Sequence, residues 1–237
     1  MSAPLRSTLI PVTDPHAGLR LTELFYSLQG EAASSGAPTV FIRLTGCPLR
    51  CTYCDTTYSF EGGQRWSLED ILSETARHPV AHVCVTGGEP LAQPNCLPLL
   101  ERLCDAGYQV SLETSGALDV SAVDPRVSIV LDLKTPASGE VQRNLWSNLA
   151  HLCAKDQVKC VITDRADYEW SREQLLSRQI SEQVGVVWFS PAFSIVPGQT
   201  RLPALATELA GWILADGLPV RLQLQLHKLL WQDAQGK

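Results

Sequence analysis

The stretch His82-Val83-Cys84-Val85-Thr86-Gly87-Gly88-Glu89-Pro90 runs into an amphipathic segment at residues 97–106 and a second apolar run at 109–113. A short β-branched run, a Gly-rich turn, a helical period and another short run read together as strand, loop, helix, strand. A helix placed between two strands marks a parallel pair, because parallel strands need a crossover connection. The same unit recurs in both directions. Further strand candidates lie at 40–45, 127–134, 158–162 and 184–190, with a last one at 220–226. Helix candidates lie at 68–77, 141–154, 169–178 and 203–215, and Ser67, three residues before Asp70, is a helix start. The pattern predicts an α/β protein whose parallel sheet is either open and doubly wound or an incomplete barrel. Nearly continuous apolar strands imply that both sheet faces are covered. In either architecture chemistry belongs beyond the carboxyl ends of the strands. Thr45-Gly46-Cys47, Thr86-Gly87-Gly88-Glu89, Glu113-Thr114-Ser115-Gly116 and Lys134 all fall there.

No repeat, low-complexity tract or long linker divides the 237 residues, so one domain over 1–237 is expected, with its core at about 24–228. No apolar run approaches the roughly 20 residues that span a bilayer. The first thirty residues carry charges and prolines without the apolar stretch of a signal peptide, so a cytoplasmic protein is expected, not a membrane or secreted one. Nineteen basic against twenty-five acidic residues leave a formal charge of −6, which disfavours nucleic acid and favours a small-molecule substrate.

Cysteine is the informative part of the composition. Of eight, Cys47, Cys51 and Cys54 form C-x3-C-x2-C in the loop after the strand at 40–45. The other five sit in apolar or helical surroundings and read as small buried hydrophobes, and the six Trp as core or interface residues. Structural zinc takes four protein ligands in paired groups, and no second pair occurs; a distant His would have to complete such a site. An iron–sulfur cube takes four thiolates. With three, one iron keeps a position open for a non-protein ligand, such as the amino and carboxylate groups of S-adenosylmethionine. Gly87-Gly88-Glu89-Pro90 sits where that ligand needs close backbone approach, although alone the same residues would make an ordinary turn.

In these two features the chain resembles the radical S-adenosylmethionine superfamily, whose usual fold is a full or partial (β/α) barrel. The resemblance implies a partial (β/α) barrel of about six parallel strands. It also implies a [4Fe-4S] cluster on Cys47, Cys51 and Cys54, and a cofactor cleaved to a 5′-deoxyadenosyl radical. Gly87, Gly88 and Glu89 would hold the methionine amino group, and Tyr53 would lie against the adenine.

Other segments narrow the resemblance: Phe25-Tyr26-Ser27-Leu28-Gln29-Gly30-Glu31, Phe41-Ile42-Arg43-Leu44-Thr45-Gly46-Cys47, Cys54-Asp55-Thr56, Leu112-Glu113-Thr114-Ser115-Gly116 and Leu224-Gln225-Leu226-His227-Lys228. Together they are similar to the 7-carboxy-7-deazaguanine synthase family of the queuosine (7-deazapurine) pathway. These lyases act on 6-carboxy-5,6,7,8-tetrahydropterin: the radical takes the C6 hydrogen, the ring contracts and ammonia leaves. The resemblance implies Mg²⁺ at Thr56, substrate contacts from Leu28, Gln29, Gly30, Glu31, Arg43, Thr86, Gln225 and His227, and cofactor contacts from Gly88, Glu113, Ser115 and Lys134. It implies an electron donor such as flavodoxin or ferredoxin, and a homodimer. The residue types suit those tasks. Gln29 donates and accepts, Glu31 accepts from N–H groups, and Arg43 can fork onto a carboxylate. The same residues also fit a hairpin turn with a surface ion pair, Glu113-Thr114-Ser115 fits a helix cap, and His227 fits a satisfied structural histidine. The chain departs from the family at Ala32, where a glycine is common, and at Asp132-Leu133-Lys134, where many members have Ser-Pro-Lys. Two rival functions remain at this point: an enzyme that places a glycyl radical on a partner protein, and a non-catalytic zinc-binding interaction module.

Overall fold

A computed structural model describes residues 18–192, 204–232 and 234–237. Among the described residues nine strands form one sheet: β1 (Leu19–Leu28), β2 (Pro38–Leu44), β3 (Gln64–Trp66), β4 (His82–Gly87), β5 (Gln109–Thr114), β6 (Ser128–Leu133), β7 (Gln157–Ile162), β8 (Val186–Pro191) and β9 (Arg221–Leu222). Their order is β3-β1-β2-β4-β5-β6-β7-β8-β9. Every neighbouring pair from β2 to β9 is parallel. Six full parallel strands, β2 and β4 to β8, thus stand where about six are predicted, and the sheet stays open between its edges β3 and β9. The antiparallel β1 and β3 are additions. β1 joins β2 through residues 29–37, where Gln29 N donates to Ala37 O at 2.8 Å and Gly36 N to Gln29 O at 2.7 Å.

The helices are α1 (Leu68–Thr75), α2 (Cys96–Asp105), α3 (Arg165–Ser177), α4 (Ile180–Gln183), α5 (Ala204–Asp216) and α6 (Leu226–Trp231). Ser67 caps α1 as predicted, its Oγ accepting from Asp70 N at 3.1 Å. α2 buries Cys96, Leu99, Leu100 and Leu103, the 3–4 spacing of one helical face. The helix expected at 141–154 is instead two 3₁₀ segments, Val141–Arg143 and Trp146–His151. Two asparagines explain the difference. Asn144 brackets the Lys134 backbone, accepting from its N at 2.9 Å and donating to its O at 2.8 Å. Asn148 donates to Gly116 O and Leu118 O and accepts from Val120 N. Side chains bonded to backbone of other segments compete with a helical ladder. The candidate strand at 220–226 shrinks to β9 because Gln225 already leads into α6. Pro203, the expected start of the last long helix, lies outside the described residues.

The two faces of the sheet differ in chemistry. Val40, Ile42 and Leu44, Val83 and Val85, Val110 and Leu112, Ile129, Leu131 and Leu133, and Val158, Cys160 and Ile162 are buried in the apolar core. The alternate positions face the other way, as the two-residue strand period requires, and put Arg43, Thr86, Glu113, Asp132 and Lys159 along one cavity wall. The second face therefore carries a polar row, one cavity-lining side chain from each of β2, β4, β5, β6 and β7, among apolar neighbours such as Phe41, Val130 and Val161. Cys84, Cys96 and Cys160 are buried as expected and Cys104 is half-buried, whereas Cys153 is exposed. Among the described residues no helix is long and apolar enough to cross a membrane.

Candidate active site

The polar row opens on a cavity of about 320 Å³ at the carboxyl ends of the parallel strands. The thiol loop forms one wall. Gly46, at φ +97, turns the chain out of β2, and its N donates to Ser59 O at 2.8 Å. Thr52 ties the loop to the segment after β6, through N to Ser138 O at 3.0 Å and Oγ1 to Ala137 O at 2.6 Å. Arg50 N donates to Glu140 Oε1 at 2.6 Å, and Arg50 Nη1 donates to Cys47 O and Leu49 O, both at 2.7 Å. These bonds tie the loop to the segments around Ser59 and Ala137–Glu140. Cys47, Cys51 and Cys54 all line the cavity. Burial pushes the Cys51 thiol up to about 11 and raises that of Cys47, and metal binding to such thiols releases their protons.

The donor set fits an iron–sulfur cube with one thiolate per iron. Among the described residues no three His, Cys, Asp or Glu side chains converge on a single ion, and a tetrahedral zinc would require that convergence. Beside the thiols, Lys134 pairs with Asp132 Oδ2 at 3.0 Å, while Asp132 Oδ1 is buried with no hydrogen-bond partner. An orphaned acceptor on a cavity wall calls for a ligand that donates hydrogen bonds, as the hydroxyls and ammonium of S-adenosylmethionine do. Burial alone would lower Lys134, but Asp132 raises it above the ordinary lysine range.

Of the residues singled out in the sequence, Tyr53, Thr56, Gly87, Gly88, Glu113, Ser115, Lys134, Leu28, Gln29, Gly30, Glu31, Arg43, Thr86, Gln225 and His227 all line this cavity. Glu89 is the exception. Fully buried, it accepts from Thr114 Oγ1 at 2.9 Å, from Ser115 N at 2.7 Å and Oγ at 2.5 Å, and from Leu91 N at 3.1 Å. Its carboxylate serves the chain, tying the loop after β4 to the end of β5. Glu113-Thr114-Ser115 does not cap a helix; Glu113 Oε2 accepts from Thr86 Oγ1 at 2.9 Å. Leu133, in the segment that departs from Ser-Pro-Lys, points into the core, while Asp132 faces the cavity.

Across the cavity, Arg43 Nε binds Glu23 Oε1 at 2.7 Å, and Tyr58 Oη donates to the same oxygen at 2.8 Å. Thr56 Oγ1 donates to Asp55 Oδ1 at 2.9 Å, and Lys228 Nζ pairs with Asp55 Oδ2 at 2.9 Å, joining α6 to the thiol loop. Leu226 N donates to Gly30 O at 3.0 Å. A Cβ on Gly30 would lie 2.1 Å from His227 Nδ1, so only glycine lets that ring seat against the hairpin. Lys159 of β7 pairs with Glu31, whose other oxygen accepts from Gln225 Nε2 at 2.8 Å. Asp55, Asp132, Lys159 and Lys228 are cavity residues that the motifs did not assign. For Asp132 and Lys159 a signal was present: each is a lone charge inside an apolar strand.

Comparison with known proteins matches residues 41–133 to the Radical SAM superfamily. Over 219 residues the chain is 43% identical to a 7-carboxy-7-deazaguanine synthase of Koribacter versatilis, covering 90% of this chain and 97% of that protein. A 7-carboxy-7-deazaguanine synthase of Chlorobaculum tepidum is 41% identical over 224 residues, 93% of this chain and 98% of its own length. The crystal structure of QueE from Escherichia coli matches the fold with a TM-score of 0.71 at 25% identity, over 90% of this chain and 96% of that one. Such identity, sustained almost end to end around a three-thiol cavity, makes the chain a radical S-adenosylmethionine enzyme, and it belongs to the 7-carboxy-7-deazaguanine synthase family.

Proposed function

We propose that the protein converts 6-carboxy-5,6,7,8-tetrahydropterin to 7-carboxy-7-deazaguanine with loss of ammonia. The observation that carries this reading is the meeting of Gln29, Glu31, Arg43 and Thr86 with the three-thiol loop around one cavity. When bound, the [4Fe-4S] cluster and S-adenosylmethionine supply the radical that takes the C6 hydrogen and returns one after ring contraction. Substrate and product differ by ammonia, so no net oxidation occurs and the cofactor is regenerated.

The chain's own residues bind, orient and exclude water. Cys47, Cys51 and Cys54 hold the cluster. Tyr53, Gly87, Gly88, Ser115, Glu113 and Lys134 surround the cofactor, and the orphaned Asp132 Oδ1 accepts one of its donors. Gln29, which is buried, and Glu31 read the donor–acceptor edge of the pterin, with Leu28 and Gly30 shaping the turn and Gln225 and His227 closing it from α6. Arg43 spends Nε on Glu23 and offers its Nη donors to the substrate carboxylate. Thr56 donates its proton to Asp55, so its lone pairs are left for Mg²⁺, which takes oxygen ligands and fills its shell with water and substrate oxygens. The reading includes a one-electron donor such as flavodoxin or ferredoxin, a homodimer, one domain over residues 1–237 and a cytoplasmic setting.

Incubation of reconstituted protein with the carboxytetrahydropterin, S-adenosylmethionine, Mg²⁺ and dithionite is expected to yield the deazaguanine acid and ammonia in equal amounts. A cluster-replete sample that makes neither would end this reading, and would revive an activating enzyme acting on a protein partner.

A further inference from the structure

Lys159 is the only charged residue of β7, and its side chain is 14% exposed on the cavity face of the sheet. Its Nζ bonds Glu31 Oε2, which belongs to the turn between β1 and β2, 128 residues earlier in the chain. Gln225 Nε2 holds Oε1 of the same carboxylate at 2.8 Å from the segment leading into α6. Each oxygen is thus fixed by a donor from a different element, and Gln29 Oε1 accepts from Glu31 N at 3.2 Å. The charged surroundings require a cation here. Asp132 and Glu113 act on Lys159 from β6 and β5, and His227 acts on Glu31 from α6. Without the ammonium, a desolvated carboxyl that has lost its cation favours its protonated form. It would then donate where the N–H edge of a pterin needs an acceptor.

We infer that Lys159 is a positioning residue: it holds the Glu31 carboxylate in one orientation as the acceptor for the pterin's N–H groups. This inference rests on the substrate reading given above. Lys159 acts through Glu31, whereas a direct contact with the substrate carboxylate would make its effect independent of Glu31.

The test is a double-mutant cycle on equilibrium binding. Calorimetry measures 6-carboxy-5,6,7,8-tetrahydropterin binding to cluster-loaded protein with S-adenosylmethionine and Mg²⁺, without reductant, so that nothing turns over. Lys159→Met is expected to weaken binding about thirtyfold or more, since it strips a buried carboxylate of its cation. Lys159→Arg, which keeps charge and donors, recovers affinity to within about fivefold of wild type. With Glu31→Gln in place, adding Lys159→Met changes affinity less than about threefold, the signature of one residue acting through another. The double variant removes both members of the Lys159–Glu31 pair and remains measurable where Lys159→Met alone fails to fold; Lys159→Arg then supplies the single-site comparison. Wild-type affinity in Lys159→Met, or an undiminished loss in the Glu31→Gln background, overturns the inference alone. Wild-type protein that binds no tetrahydropterin overturns it together with the substrate reading.

Discussion

Thr56 looks unremarkable in the sequence, a small polar residue two positions after the last cysteine of the loop. Its surroundings give it a defined polarity. Because Oγ1 donates to Asp55 Oδ1, and Lys228 anchors Asp55 Oδ2, the hydroxyl proton points away and the oxygen is left as an acceptor toward the cavity. Thr56→Ala is expected to raise the Mg²⁺ concentration for half-maximal turnover about tenfold, whereas Thr56→Ser leaves it near wild type. Superimposable Mg²⁺ titrations for Thr56→Ala and wild type would remove this residue from the metal site. The three cysteines were legible because their spacing alone restricts what they can hold. Lys228 carried no such signal, and the lone charge of Lys159 in an apolar strand marks a position without naming its partner; each acquires its meaning from a residue far off in the chain, Asp55 and Glu31.

The turn after β4 shows how one pair of residues can answer to two constraints. Gly87 and Gly88 suggest close approach of backbone to a ligand, and they do line the cavity. Their tightest constraint, however, comes from the chain itself. A Cβ on Gly87 would lie 2.2 Å from Leu44 O, and one on Gly88 would lie 2.2 Å from Gly46 O and 2.9 Å from Cys47 Cβ. Gly88 N donates to Leu44 O and Glu89 N to Gly46 O, so the turn is laced onto the root of the thiol loop. Gly88→Ala must therefore push backbone against backbone. It is expected to cost about 2–3 kcal/mol, a fall of about 4–12 °C in Tm, with poorer cluster retention because Cys47 moves with Gly46. Gly211, inside α5, is the contrast, since a methyl group added there would meet no neighbour within 4 Å. Gly211→Ala should raise Tm by about 2–4 °C through helix propensity. Equal melting temperatures for the two variants in scanning calorimetry would contradict this account. The segment 141–154 teaches the complementary lesson: its apolar spacing suits a helix, and only the strand-end backbone groups that Asn144 and Asn148 satisfy reveal why it is not one.

At the scale of the whole molecule the six parallel strands were legible as short apolar runs, with α1, α2 and α3 in three of their connections, although β5 runs to β6 through turns and β6 to β7 through 3₁₀ segments. The antiparallel β1 and β3 were not, because β1 joins β2 by a turn with no crossover to announce it, and β3 is three residues paired to Leu19, Arg20 and Leu21 far back in the chain. What the full sheet adds is a division of labour between an apolar face that stabilises and a polar face that pairs with buried charge such as Glu31. Glu31 measures that cost. Burial alone would raise its carboxyl, but the charges of Lys159 and His227 and the bonds from Lys159 and Gln225 outweigh burial and hold it below the ordinary value. A carboxyl depressed in the folded state stabilises the protein above the unfolded value, about 4.3 for glutamate. That contribution is lost as pH falls through the lower folded value. Near neutral pH Glu31→Gln should therefore cost about 3 kcal/mol, since it leaves Lys159 without its anion, and lower Tm by about 6–12 °C. As pH falls below about 4 the wild-type advantage disappears, so the two melting temperatures converge. Calorimetry of both proteins across this range decides the matter: a gap that stays constant as the solution is acidified would mean that the pair is not ionised in the folded protein.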